Sequence, residues 1–491
     1  MISKNPAKSQ YLKGAVLIYL LSLFVNAYKL PQNLFFGHEQ GRDAQAVKEI
    51  YTGKHFPLIS TKTEVEGLYS PPWYYYIMTI PYGLTGGNPT AGMFAIILFS
   101  STSAAVMYFF IKDLTNSNFW GIVGGILTAL SWEFINYARW LINVSPAYPF
   151  VALALFMAWK YYKTKTQKYF FLYALFAIIA FQFQITLFFQ FAFLSIILIA
   201  FKFLKIPNVK TILLATITAI FFISPLIIFD FRHEHISLKS IASFINGSAS
   251  TSLNIHPQNS LLLYLDQFLR VAKRSIFDIK NTYLQLTFLT FLLIGFFLYS
   301  KDKSNRKTAL FVLLISFMSL GILPFNIGLT QLYQGTGVGL IALATISLYA
   351  LWKNFKIGAF LLTLLLIASS LQNINRLQTN DDLFFVPEQK VLNLRDQQNL
   401  INFMHTDAQV KPYRFESQTI PYLHSEGWQY LHSYMYPHAE SKLANEVYIS
   451  IEKNIEPYWE KKWIEDLGET ELIYEKNFGQ IRLQKRLIKN Q

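Results

Sequence analysis

The chain has 491 residues, of which 53% are hydrophobic and 17% aromatic, and a mean hydropathy of +0.29; a water-soluble protein of this length rarely reads that way, so the expectation is a polytopic membrane protein. It contains no cysteine, which excludes disulfides, thiolate metal sites and cysteine nucleophiles. The net charge of +14 is no sign of nucleic-acid binding: residues 1–375 carry 29 Lys and Arg against 12 Asp and Glu, residues 376–491 carry 14 against 17, and the excess lies in short loops between apolar segments.

A membrane span takes about 20 apolar residues. Segments 12–30, 90–111, 119–138, 146–160, 169–186, 187–203, 210–229, 282–299, 308–325, 336–352 and 357–374 qualify, the fourth to sixth being short. The lysines alternate with them. Lys4, Lys8 and Lys13 precede the first, and Lys112 follows the second. Lys160, Lys163, Lys165 and Lys168 follow the fourth, and Lys202, Lys205 and Lys210 the sixth. Lys301, Lys303, Arg306 and Lys307 follow the eighth, and Lys353 and Lys356 the tenth. Every second connection is basic, which predicts a cytoplasmic N-terminus and an extracytoplasmic C-terminus in the cytoplasmic (inner) membrane. Residues 1–30 begin basic and contain Val25-Asn26-Ala27, as a cleaved signal would. The long apolar run and the loop behind it favour an uncleaved first helix.

The first outer connection, residues 31–89, opens with Phe35-Phe36-Gly37-His38-Glu39-Gln40-Gly41-Arg42-Asp43. Acidic groups at a membrane boundary are costly and point to function. Glu39 and Asp43 are four residues apart, so a helix over about 40–52 stacks them on one face, a geometry for a general base and a helper, or for a metal. Pro71-Pro72-Trp73-Tyr74-Tyr75-Tyr76 then opens a segment too polar and broken to span, predicted to be an interfacial helix up to Gly86.

In the second long connection, residues 230–281, Leu261, Leu265, Phe268, Leu269 and Ala272 form an apolar stripe beside Arg270, Lys273 and Arg274. This predicts an amphipathic helix on the membrane. His233, Glu234, His235 and His256 are metal-ligand types without a diagnostic spacing. After Leu377 the texture turns polar, and residues 376–491 are expected to form a small extracytoplasmic α+β domain beyond a membrane domain of residues 1–375. Its signals are a helix around Leu392–Phe403, a strand at Val447–Ile451, and a hairpin turning at Asn477-Phe478-Gly479.

An acidic motif closing the first span, followed by a helix opening with Pro-Pro, resembles the GT-C glycosyltransferases. Within them the chain is most similar to bacterial members of glycosyltransferase family 39. The residues that carry the resemblance are Glu39-x-x-Arg42-Asp43, Gly53-x-His55-x-Pro57-Leu58, Gly67-x-Tyr69-x-Pro71-Pro72-x-Tyr74-Tyr75-Tyr76, Tyr137-x-Arg139-x-x-x-Asn143-x-Ser145-Pro146 and Phe229-Asp230-Phe231-Arg232-His233. The resemblance implies a mostly α fold of about 11 transmembrane helices with a small C-terminal α+β domain. It implies transfer of a sugar from a polyprenyl-phosphate donor to an acceptor hydroxyl of a lipid, glycan or protein, with inversion at the anomeric carbon. The catalytic carboxylate is then Glu39 or Asp43; the family often has two adjacent acids here, where this chain has His38-Glu39-Gln40, and Gln184 stands where relatives often have His. His55, Tyr69, Tyr74, Asn143 and Tyr333 fall at substrate-binding positions, and Arg42 either touches substrate or pairs with a carboxylate.

Elementary chemistry agrees. A hydroxyl nucleophile needs a carboxylate within hydrogen-bond reach, and a leaving phosphate needs cations. Arg139, Arg232, His233, Arg270, Lys273 and Arg274 are the expected phosphate partners, because they fall at the same ends of the spans as Glu39. No cofactor is required, and a divalent metal is left open. The alternatives are a transporter or flippase of a polyprenyl-linked glycan and a non-enzymatic assembly protein. The first would need charges along the spans, where Glu133 is the main one; the second leaves the acidic motif unexplained.

Overall fold

The computed structural model describes residues 6–63, 65–245, 260–277, 281–325, 329–377, 392–419, 424–441, 444–453 and 455–489. His256 and the junction at Asn380 lie outside them. The apolar part is helical throughout: α1 Pro6–Ala27, α2 Leu30–Asn33, α3 His38–Tyr51, α4 Trp73–Leu84, α5 Pro89–Ser100, α6 Thr102–Thr115, α7 Asn118–Leu130, α8 Trp132–Ala138, α9 Ala147–Thr164, α10 Gln167–Phe183, α11 Thr186–Ala200 and α12 Val209–Arg232. There follow α13 Ile236–Ile245, α14 Ser260–Ile276, α15 Thr282–Lys301, α16 Arg306–Ser316, α17 Thr336–Asn354 and α18 Lys356–Arg376.

Among the described residues, six stretches are long and apolar enough to cross a membrane, and α1, α7, α10 and α11 carry shorter apolar runs. This is a multi-pass membrane protein. Helix starts follow local capping: the side chains of Asn88, Asn208 and Asn281 accept from the backbone N–H of Thr90, Thr211 and Leu284 at 2.9, 2.9 and 3.1 Å. Inside the spans, Thr128, Thr345, Thr363 and Ser370 turn their hydroxyls back to the carbonyl one turn earlier, so these donors are satisfied within their own helices.

Three expected spans are interrupted, the first of them, 90–111, at Ser101 between α5 and α6. Segment 119–138 divides at Ser131 into α7 and α8, because Ser131 takes an extended backbone. Segment 308–325 is α-helical only to Ser316 and continues as a 3-10 helix over Met318–Phe325, around Pro324, which has no N–H for an α-helical bond. In the first connection α3 starts two residues earlier than expected, at His38, and α4 follows Pro72.

The C-terminal unit consists of α19 Leu394–Asp407, β1 Arg414–Gln418, α20 Glu426–Met435, β2 Glu446–Glu452, α21 Pro457–Asp466, β3 Thr470–Phe478 and β4 Ile481–Ile488. The sheet order is β1-β2-β4-β3, with β1 parallel to β2 and the other pairs antiparallel. β2 is buried on both faces. Tyr448 joins Leu400, Met404 and Tyr413, while Val447, Ile449 and Ile451 meet Ile455, Ile488 and α21. The hairpin turns at Gly479, where φ is +57°. β1, α20 and α21 went unread in the sequence.

The unit does not stand apart. Phe36 N–H donates to Leu392 O (3.2 Å) and Leu394 N–H to Leu34 O (2.8 Å), so the tail zips onto the loop before α3. Tyr430 packs on Phe36 and Tyr82 and donates to Gly87 O at 2.6 Å. α3 and α20 meet at Gly41 and Gly427 so closely that a Cβ on Gly41 would lie 2.3 Å from Gly427 Cα.

Candidate active site

Connections alternate between the two ends of the bundle. Those that follow α1, α8, α10 and the Met318–Phe325 turn share one end, opposite the lysine-rich ones, and there they enclose a cavity of about 130 Å³. Glu39 and Arg42 of α3 line it together with Thr61, Lys62, Thr63 and Ser70. Across from them stand Trp140, Asn143, Gln184, Gln331 and Leu332.

The far wall is pinned by amides and hydroxyls. The carbonyl of Gln331 accepts from Gln184 Nε2 (3.2 Å) and Tyr137 OH (3.3 Å). That of Leu332 accepts from Gln190 Nε2 (2.7 Å) and Thr186 Oγ1 (3.2 Å). Asn143 Nδ2 donates to Phe183 O at 3.4 Å. Gln184 thus holds the loop that carries Gln331.

The two carboxylates separate in role. Glu39 is half-buried and faces the cavity. Asp43, one turn on, is buried behind Arg42. Its Oδ1 accepts from Arg42 Nε (3.0 Å), Arg42 Nη2 (2.9 Å) and Tyr75 OH (2.8 Å). Burial pushes the Asp43 carboxyl above its ordinary range, and the Arg42 charge only partly offsets this. Burial alone would lower Arg42, but Asp43, Tyr75 and Glu39 together raise it, so its charge is fixed.

The tyrosine that meets Asp43 is Tyr75; Tyr74, expected at a substrate-binding position, is buried beside it and does not line the cavity. Adjacent helical residues point about 100° apart, and a run of three tyrosines does not mark which one faces α3. Lys62 was also missed. It pairs in a β-bridge with Tyr69, and between Lys54 and Lys112 it is the one Lys or Arg in the sequence, a signal that was available.

None of the six expected phosphate cations lines this cavity. Arg139 is buried and donates through Nη1 to Asn26 O (2.7 Å) and Tyr28 O (2.9 Å), filling the open carbonyls where α1 ends. Arg232 is exposed at the end of α12. His233 stacks on Phe229 at 4.0 Å and bonds the Phe229 carbonyl at 2.8 Å. Asp230 accepts from the Ser237 and Leu238 N–H groups, starting α13. Arg270 pairs with Asp266 at 2.9 Å, Lys273 is exposed, and Arg274 lies toward Glu133, whose Oε1 accepts from Tyr148 OH at 2.8 Å.

α14 buries Tyr264, Gln267, Val271 and Ser275 and presents Leu261, Leu262, Leu265 and Leu269 outward. Tyr333 packs on Tyr264 (5.5 Å), beside the cavity-lining Leu332. His55 is exposed and off the cavity.

Tyr69 lines a second space, an apolar groove of about 350 Å³ running between α10, α11 and α12 past Phe181, Phe188, Ile223, Ile227 and Leu238. Ile185 lines both spaces, so they are neighbours there. The arrangement places an apolar groove beside a small polar chamber lined by a carboxylate and two cations.

The structure is similar to that of ArnT from Cupriavidus metallidurans bound to undecaprenyl phosphate, with a TM-score of 0.57 and 9% identity over 98% of each chain. The apo state of the same protein aligns with a TM-score of 0.57 and 10% identity, again over 98% of each. The chain has the GT-C fold. No protein-family model matches it, and no curated protein matches it by sequence. The GT-C likeness therefore rests on three-dimensional arrangement and extends through the C-terminal unit.

Proposed function

We propose that the chain is a membrane glycosyltransferase that moves a sugar from a polyprenyl-phosphate donor to an acceptor hydroxyl at the outer face of the cytoplasmic membrane, with inversion. The observation that carries this reading is the adjacency, across Ile185, of the apolar groove and the chamber of Glu39, Arg42 and Lys62. A polyprenyl tail suits the groove, and its phosphate then arrives beside Lys62 and Arg42. Cations there stabilise the charge that develops as the glycosidic bond to phosphate breaks. Glu39 takes the proton of the acceptor hydroxyl, which attacks the anomeric carbon from the side opposite the phosphate. Asp43 and Tyr75 hold Arg42 in place. The undecaprenyl phosphate bound to ArnT supports the lipid assignment. The lysine-rich connections lie at the opposite end of the bundle, and the positive-inside rule then turns the chamber outward.

Two measurements test the reading. Polyprenyl phosphate should bind the purified protein in nanodiscs, and bulky substitution of Ile227 in the groove should weaken it. Mass spectrometry of envelope glycans from cells carrying the intact protein or Glu39→Gln should show one sugar missing in the variant. No binding and unchanged glycans would refute the assignment.

A further inference from the structure

We propose that His38, His424 and Glu426 form a zinc site that fastens the C-terminal unit to the helix bearing Glu39. The proposal is independent of the transferase reading. Among the described residues, these three offer one ligand atom each within 4.8 Å of one another. His38 Nδ1 lies 2.9 Å from Glu426 Oε2, and His424 Nδ1 lies 3.5 Å from Glu426 Oε1. The imidazole centroids are 4.3 Å apart.

Ligands bound at about 2.0–2.1 Å to a tetrahedral zinc lie roughly 3.3 Å from each other, and the two histidine–carboxylate separations, one to each oxygen of Glu426, bracket that figure. Two imidazoles and a carboxylate are a zinc donor set, with a fourth position left for water. Both carboxylate oxygens already turn toward a histidine, so an ion replaces a hydrogen-bonded cluster by modest rotation of the side chains.

The backbone makes the site rigid. His38 is the first residue of α3 and Glu426 the first of α20. These helices are locked at Gly41 and Gly427, where Gly427 would place a Cβ 2.7 Å from Gly37 O. Gly37 N–H is held in turn by Gln40 Oε1 at 3.0 Å. Ligands from two distant stretches of chain are thus set by main-chain contact, and His424 is exposed enough to admit an ion. Zinc here would join the two halves one residue from Glu39.

The test uses the full chain with affinity tags removed, reconstituted in nanodiscs and stripped with chelator. After zinc addition and desalting, elemental analysis should find one zinc per wild-type chain. His424→Ala and Glu426→Gln should weaken zinc binding by at least about 10–100-fold, since loss of even an outer partner of a zinc ligand has that effect. The exposed His438→Ala should bind as the wild type does. Zinc should raise the melting midpoint of the wild type and leave that of His424→Ala unmoved. Size exclusion reports whether Glu426→Gln folds; if it does not, His424→Ala, which removes an exposed ring, carries the test. Wild-type protein that retains no zinc, or His424→Ala that retains as much as the wild type, overturns the proposal.

Discussion

Glu39 and Asp43 sit one turn apart on α3, yet the structure gives their substitutions opposite signatures. Asp43→Asn removes the charge that accepts two bonds from Arg42 and one from Tyr75. Breaking a fully buried ion pair costs about 3–5 kcal/mol. The Arg42 side chain is 35% exposed, so water screens part of this and about 2 kcal/mol is expected. That should lower a melting midpoint by on the order of 4 °C. Glu39→Gln keeps shape and loses a proton acceptor at the cavity wall. It should leave the midpoint within about 1 °C while slowing transfer by about 10²–10⁴-fold, or roughly 3–5 kcal/mol of barrier. Scanning fluorimetry in nanodiscs and single-turnover sugar transfer read the two quantities on the same preparations. If Asp43→Asn lost transfer with an unchanged midpoint while Glu39→Gln kept near-normal turnover, the roles would be reversed and the argument from cavity lining would fail.

Other outcomes follow from single contacts. Gly41→Ala should cost about 3 kcal/mol, the upper end of ordinary overpacking, because its Cβ meets backbone rather than a side chain; limited proteolysis should then release the C-terminal unit. Lys62→Ala should weaken polyprenyl-phosphate binding roughly ten- to over a hundredfold in a titration, the range of a lost charged contact, while Arg139→Ala should leave binding intact. Arg139→Ala should instead destabilise the fold by about 2–4 kcal/mol in thermal unfolding, since the carbonyls of Asn26 and Tyr28 lose their donor. Burial, with His405 nearby, holds His432 down to about 4 from 6.5, and its Nε2 bonds Tyr413 OH at 2.9 Å. The unfolded ring takes up a proton below about pH 6.5 and the folded one only near pH 4, so stability is full above 6.5 and falls by up to about 3 kcal/mol as pH drops to 4. Unfolding midpoints across pH 4.5–7.5 should slope less in His432→Gln than in the wild type.

The membrane helices were legible because lipid demands long apolar runs, and alternating lysines gave their order. Breaks at Ser131 and before Pro324 were not, since both segments stay apolar across the break. Glu39, singled out by its place after the first span, and Asn143, by its motif, both line the chamber. The phosphate cations misled because every arginine at a helix end looks alike in sequence. Arg139 serves two backbone carbonyls and Arg270 serves Asp266, partners that only folding reveals. Lys62 reaches the chamber through a β-bridge with Tyr69 inside an irregular loop, where no periodicity announces a direction. β1 and α20 were hidden by tertiary context: Arg414–Gln418 is mostly polar and becomes a strand by pairing with β2.

α12 forms one side of the apolar groove, and few of its residues are fully buried; the groove-lining Ile227 and Phe231 are themselves 39% and 72% exposed. Such a groove is a gutter rather than a tunnel, and bilayer hydrocarbon closes its open side. If the groove holds an isoprenoid, as proposed, that chain can enter laterally without leaving the membrane, and ordinary acyl chains can occupy the same space. Discrimination among lipids then falls to the few polar groups where the gutter ends, and apparent affinity will vary with the surrounding amphiphile even when the protein does not change.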